Sequence, residues 1–163
     1  MLKINKLTDY ATVVLIDMAR SQQVRPTQAI SESTGIPLPT VAKLMKSLVK
    51  AGLILSHRGA RGGYSLVHPA NEVSVADVIE AVEGPIALTA CVESSSEYCC
   101  YETHCPVSGK WNRVNNAVTD ALRDVSLADM SRDISGFGSE GISLPNSMTE
   151  APSQESALAP QQK

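Results

Sequence analysis

Cys91, Cys99, Cys100 and Cys105 fall within fifteen consecutive residues, and they are the only cysteines of the chain. Thiolates are soft ligands, and thiolates grouped this closely suit zinc or an iron–sulfur cluster. The opening residues Met1 to Lys6 hold no apolar signal segment, and no run of about 18 apolar residues could span a membrane. The expected compartment is therefore the cytoplasm, where thiols stay reduced and structural disulfides are disfavoured. Seven residues separate Cys91 from Cys99, and five separate Cys99 from Cys105. Structural zinc usually takes closer pairs, so these gaps favour a loop wrapped around a larger inorganic core. His104 could complete a zinc site, which keeps a structural zinc as an alternative.

A second chemistry lies upstream. Residues 1–70 carry nine Lys and Arg against three Asp and Glu, whereas residues 71–130 carry three against ten. A basic segment of +6 followed by one of -7 marks a nucleic-acid-binding part. Its elements follow from periodicity. Ala11, Val14, Leu15 and Met18 make one helical stripe, for which Thr8 is the expected cap. A second helix is expected over residues 27–34, capped by Thr27, with Ala29 and Ile30 inward and Gly35 as its stop. A third runs from Pro39 to Ala51, with Val41, Leu44, Met45 and Leu48 inward. Thr40, Lys43 and Lys46 fall outside that stripe, and Gly52 ends the helix.

Two short helices joined by a glycine turn make a helix-turn-helix, whose second helix enters the major groove. A hairpin follows, with strands over 53–56 and 64–67 and a tip over 57–63. It reads as a wing from which Arg58 and Arg61 project toward a minor groove or phosphate rail. Gly59, Gly62 and Gly63 lie between strands and open no helix, so they are not a nucleotide-phosphate loop. No nucleophile motif supports an enzyme.

Downstream, a helix begins near Ser74, with Val75, Val78, Ile79 and Val82 as its stripe, and stops at Gly84-Pro85. A long helix is then expected from Val107 to Val125. In it Trp111, Val114, Val118, Ala121 and Val125 repeat at three- and four-residue steps, as in a dimer seam. Aromatics are only 4% of a chain that is 43% hydrophobic, so the core must be aliphatic. The expected organisation is a winged helix-turn-helix domain over 1–84, a cysteine loop over 85–106, a dimerisation helix over 107–130 and a disordered tail over 131–163. The fold class is mainly α with a small β-hairpin wing.

Four stretches carry a resemblance: Leu7-Thr-Asp-Tyr-Ala11, the wing Arg58-Gly-Ala-Arg-Gly-Gly-Tyr64, Val75-Ala-Asp-Val-Ile-Glu-Ala-Val82, and the cysteine loop. In that order they resemble the IscR/NsrR-like (Rrf-type) family of iron–sulfur winged-helix transcription regulators. Cys99-Cys-Tyr-Glu-Thr-His-Cys105-Pro with Trp111-Asn-Arg-Val-Asn-Asn-Ala117 resembles its SUF-system branch. The likeness covers about residues 1–130.

The resemblance implies a homodimeric repressor or activator, with repression favoured, of iron–sulfur cluster assembly genes, and dimer symmetry implies a near-palindromic DNA operator. The long helix would cross to the other subunit, and each cluster loop would lie near its partner's DNA-binding domain. Cys91 and Cys105 match the outer cysteines of the family loop. Cys99 is taken as the middle ligand because its gap to Cys105 is common in the family and Glu102 then falls at its usual place; Cys100 stands beside it as the alternative. Ser108 occupies the place of a family histidine ligand, and Asp9 matches an acidic ligand supplied by the partner subunit. That pattern favours a 4Fe-4S over a 2Fe-2S cluster, with His104 a less favoured ligand. Thr40, Lys43 and Lys46 would face the major groove and Arg58 and Arg61 the minor groove, while Lys3, Lys6 and Tyr10 would hold phosphates. A nitric-oxide or redox sensor of the same fold is the alternative function.

Overall fold

The computed structural model describes residues 3–59, 61–100 and 104–132. Glu102, the hairpin-tip residue Ala60 and the tail from residue 133 onward lie outside the described residues. The elements are α1 (Lys6–Ser21), α2 (Thr27–Thr34), α3 (Leu38–Lys50), β1 (Ile54–His57), β2 (Gly63–Leu66), α4 (Val75–Glu83), α5 (Trp111–Arg123) and α6 (Leu127–Ser131). Among the described residues no helix is long and apolar enough to cross a membrane.

The aliphatic stripes meet in one core. Ala11, Val14, Leu15 and Met18 of α1 pack with Ile30 of α2, with Val41, Leu44, Met45 and Leu48 of α3, and with Val78 of α4. Thr8 does not cap α1. The cap is Asn5, whose Oδ1 accepts from the Leu7 N–H at 3.1 Å. Thr8 lies one turn further in, buried, and its hydroxyl donates to the Glu83 carboxylate at the end of α4. The Asn5 N–H donates to the same oxygen, so Glu83 fastens the start of α1 to the end of α4. Nor does Thr27 cap α2: Pro26 precedes the helix and Thr27 is its first residue. Gly35 does close α2, at φ 70°.

The wing is antiparallel, pairing Ile54 with Leu66 and His57 with Gly63. Each strand lies one residue away from its expected place. A bridge between Arg25 and Tyr64 adds a third short extended segment beside the hairpin, with N–H···O distances of 2.9 and 2.8 Å. That pairing explains Gly63. A Cβ there would stand 2.5 Å from the carbonyl carbon and oxygen of Arg25. Gly63→Ala is expected to cost about 1–3 kcal/mol, the usual range for overpacking. Thermal melting checks it: a midpoint several degrees lower is expected, and an unchanged one would refute the close approach.

The expected long helix is broken. Residues 107–110 form turns, α5 ends at Arg123, and a separate short helix follows. Ser126 and Asp129 form a capping box, the arrangement also made by Ser74 and Asp77 at the start of α4. The Ser126 hydroxyl holds the Asp129 carboxyl below its ordinary pKa. This cap therefore favours the fold above the ordinary aspartate value and is lost as pH falls through the lowered one. Tertiary pairing imposes the break. The Val75 N–H donates to Val125 O at 2.9 Å and the Leu127 N–H to Val73 O at 2.8 Å, and Leu127 is fully buried in the core. Burying one leucine side chain is worth about 1.5–3 kcal/mol, which continuing the helix outward would forfeit. Residues 124–132 thus belong to the domain that α1 to α4 build.

Candidate nucleic-acid interface and thiol loop

The turn between α2 and α3 is locked locally. Gly35 takes the left-handed conformation, Ile36 is buried, and the Ser31 hydroxyl donates to Ile36 O at 2.7 Å. This fixes α3 with its apolar stripe inward. At 3.6 residues per turn, Pro39, Lys43, Lys46 and Lys50 then share the outward face, and all four are exposed. Thr40 is half-buried at one flank of that face. Arg58 and Arg61 stand exposed on the hairpin beyond β1, where His57 Nε2 and Ser65 Oγ meet at 2.8 Å across the strands. Lys43, Lys46, Lys50, Arg58 and Arg61 make no ion pair with any described residue. Their charges remain available to a polyanion.

Arg25 is different. It pairs with Asp17 at 2.9 Å and donates to Ala29 O and Ser33 Oγ, so it is a structural cation that ties α1, α2 and the wing together. Lys3 and Lys6 line a groove with Asp9, Val75, Ile79 and Met130, which puts them beside α4 and α6. The Lys6 ammonium stands 5.3 Å from the centroid of the Tyr10 ring, and its hydrogen bond to Tyr10 raises its pKa. Lys6 is therefore firmly cationic at neutral pH. Asp9 is exposed in the first turn of α1.

The cysteines lie in the segment between α4 and α5. All four are free thiols, with Cys91, Cys99 and Cys105 half-buried and Cys100 exposed. No three Cys, His, Asp or Glu side chains converge on a metal-sized site among the described residues. The structure does not bring the expected ligands together. As donors, three half-buried thiols in one loop fit an iron–sulfur cluster by chemistry, and the loop has to close for them to share it. Cys91 Sγ meets Thr89 Oγ1 at 3.3 Å.

What holds this loop is a pair of asparagines of the Trp111–Ala117 stretch, to which the sequence pattern assigned no role. Asn115, only 3% exposed, accepts from the Leu88 N–H at 2.9 Å and donates to Ile86 O at 2.9 Å and Ser94 Oγ at 3.2 Å. Asn112 accepts from the Glu93 N–H and donates to the Glu93 carboxylate, both at 3.0 Å. Residues 86–94, with Cys91 among them, are thus clasped onto α5. Replacing Asn115 with leucine leaves the Leu88 N–H without its acceptor, at about 1–3 kcal/mol for a buried group left unsatisfied, while the Ile86 carbonyl keeps the Ser94 hydroxyl at 2.7 Å. Cys91 should then react faster with iodoacetamide in a timed mass-spectrometric labelling experiment. Unchanged labelling would show that the clasp does not govern the loop.

α5 turns its polar side inward, burying Asn115 and Thr119. Its apolar seam faces out, with Trp111 40% and Val114 45% exposed, Ala121 exposed and Val118 half-buried. Val125 lies past the helix end, and its carbonyl pairs with Val75. Val118 and Leu122 line an apolar groove with Ile4, Ile79 and Pro85.

Comparison with known proteins fits this arrangement. Residues 4–133 match the family model described as Rrf2, iron-dependent transcriptional regulator. The chain is 34% identical over 137 residues to protein rrf2 of Nitratidesulfovibrio vulgaris, covering 82% of this chain and 90% of that protein. It is 31% identical to the transcriptional regulator IscR of Vibrio campbellii, over 81% of this chain and 79% of that protein. Among solved structures it is similar to CymR, the global cysteine regulator of B. subtilis, with a TM-score of 0.60 and 26% identity over 80% of this chain and 97% of that one. It is also similar to IscR of T. potens, with a TM-score of 0.56 and 27% identity over 79% of this chain and 85% of that one.

Proposed function

This chain belongs to the Rrf2 family of transcriptional regulators, and from that membership we propose an iron–sulfur-sensing regulator that binds its operator as a homodimer. DNA binding and the absence of an enzymatic role follow from the family itself. The observation that carries the sensing role is the segment of three free, half-buried thiols, whose Cys91 end, residues 86–94, is clasped by Asn112 and Asn115 onto the helix with the exposed apolar seam. Cys91, Cys99 and Cys105 would hold the cluster, and Asp9 of the partner subunit would supply a weak fourth ligand. When bound, a cluster supplies a cross-link among the three thiolates that iron loss or oxidation removes.

The remaining roles belong to the chain's own residues. Trp111, Val114, Val118 and Ala121 bury the seam against a second copy, which offers the same surface by symmetry. Val125 contributes at the margin of that seam. Each protomer then presents α3 to a major groove, with Thr40, Lys43 and Lys46 at bases and phosphates. Arg58 and Arg61 reach the adjacent minor groove, and Lys3, Lys6 and Tyr10 hold flanking phosphates. Two-fold symmetry sets the half-sites about one helical turn, roughly 34 Å, apart. Closing the thiol loop moves residues hydrogen-bonded to α5, which joins loop state to the relative placement of the two reading heads. A coupling of about 1–3 kcal/mol would change operator affinity roughly 5- to 150-fold. Genes for SUF-type cluster assembly are the proposed targets, with repression as the mode.

A second reading is a thiol-based redox or nitric-oxide sensor without a resident cluster. The similarity to CymR, also solved from Staphylococcus aureus in an oxidised form, favours it. Anaerobic reconstitution separates the two. Visible absorbance with bound iron and inorganic sulfide is the expected result. A colourless, iron-free protein would leave the thiol-based reading, and a stoichiometric zinc content would mark a structural metal instead.

A further inference from the structure

We propose that Leu38 determines part of the operator sequence by seating the 5-methyl group of a thymine in the major groove. The proposal rests on α3 being the reading helix of this DNA-binding family. In a helix-turn-helix the first residues of the second helix are the ones brought to the base edges. In this chain that end has an unusual surface. Its first turn holds no acidic residue, and the only basic residue in the helix's last turn is Lys50, at the far end. Leu38 is 44% exposed and packs outside the core stripe of Val41, Leu44, Met45 and Leu48. Pro37 and Pro39, both exposed, flank it.

Backbone hydrogen bonding makes this end still less suited to phosphate. Pro39 has no N–H. The N–H groups of Thr40 and Val41 are both spent on Pro37 O, at 2.9 and 3.1 Å. Of the first four helical residues only Leu38 keeps a free backbone donor, so α3 begins with an apolar tip in place of an anion clamp. The two prolines also stiffen the backbone on either side of Leu38, so little backbone freedom is lost when this end of α3 is held against a partner. Phosphates are left to Lys43 and Lys46, further along the same helix. The apolar group that base pairs expose in the major groove is the thymine methyl, which aliphatic side chains contact. Leu38 is shaped to cover it.

Thymine and uracil differ only by that methyl group, which gives a direct test. An operator is first selected from random duplexes with the full-length wild-type protein. Its thymines are then replaced singly with uracil, symmetrically in both half-sites. For wild type, one position is expected where uracil weakens binding about fourfold per half-site, the value of burying roughly one methyl-sized group. Leu38→Ala should bind the thymine operator about as weakly as wild type binds the uracil one, and should not distinguish the two. Leu38→Met should restore the preference in part. Melting temperatures of the variants establish that each is folded. If no thymine position responds to uracil, or if Leu38→Ala keeps the wild-type preference, the assignment is wrong while DNA reading by α3 stands. If no sequence is enriched at all, the DNA-reading role of α3 falls, and this proposal falls with it.

Discussion

Replacing Cys91, Cys99 and Cys105 together with serine is expected to reduce the iron and sulfide of anaerobically reconstituted protein to background. A serine hydroxyl is a hard, protonated donor at neutral pH and does not substitute for a thiolate on cluster iron. The variant should still fold. The buried core is built from α1 to α4, Ile36, Leu53, Ile54 of β1, Val73 and Leu127, and none of the cysteines belongs to it. Its melting temperature without metal should therefore match that of the metal-free wild type. Serine at the exposed Cys100 alone should leave iron content unchanged. Should Cys100→Ser lose iron while Cys99→Ser keeps it, the middle ligand is Cys100. Full iron and sulfide in the triple variant would remove the thiolate loop from the sensing role.

The second large effect concerns the reading head. Lys43→Ala with Lys46→Ala removes two exposed cations per protomer, and four from a dimer. Both are without an ion-pair partner among the described residues, so their loss leaves no buried charge behind, and fold stability should change by less than about 0.5 kcal/mol. On DNA each forfeits a charge-assisted phosphate contact. At about 1 kcal/mol net per contact, four contacts amount to roughly a 10³-fold loss of operator affinity. The slope of log affinity against log salt should also shrink, by roughly 0.9 per contact or about 3.6 in all. Mobility shifts over a salt series measure both. A lower affinity with an unchanged slope would mean that these lysines do not neutralise phosphates. Unchanged affinity would move the reading surface away from α3.

The helices and the wing were legible because each apolar stripe is local and strictly periodic. Val41, Leu44, Met45 and Leu48 announce α3 without any tertiary information, and every one of them is buried. Caps were less legible, because several polar residues compete at each helix start. Thr8 looked like the cap of α1, yet its hydroxyl serves a long-range bond to Glu83, and Asn5 caps instead. The end of α5 was hidden by a stripe that continues past it. Val125 keeps the step of the seam, but pairing of residues 125–127 with 73–75 overrides the local pattern. A local signal did exist: Ser126-Leu-Ala-Asp129 repeats the form of Ser74-Val-Ala-Asp77.

At the candidate site, composition alone exposed the thiol loop and the cations of α3 and the wing. Their support was not visible. A polar residue on a helix reads as solvent-facing, so Asn115 gave no hint of being the buried clasp for residues 86–94. Arg25 added to the basic balance of the first seventy residues, but its charge is committed to Asp17. Charge counting finds a cation and cannot tell which partner holds it.

The coupling of loop to reading head is tested most directly by titrating one operator duplex with the iron-loaded and the iron-free forms of the same preparation, anaerobically and at fixed salt. A difference in dissociation constant between about 5- and 150-fold is expected, and it should vanish in the Cys91, Cys99 and Cys105 triple serine variant. Equal dissociation constants for the two wild-type forms would contradict the sensing role, leaving a DNA-binding protein whose thiols serve some other end.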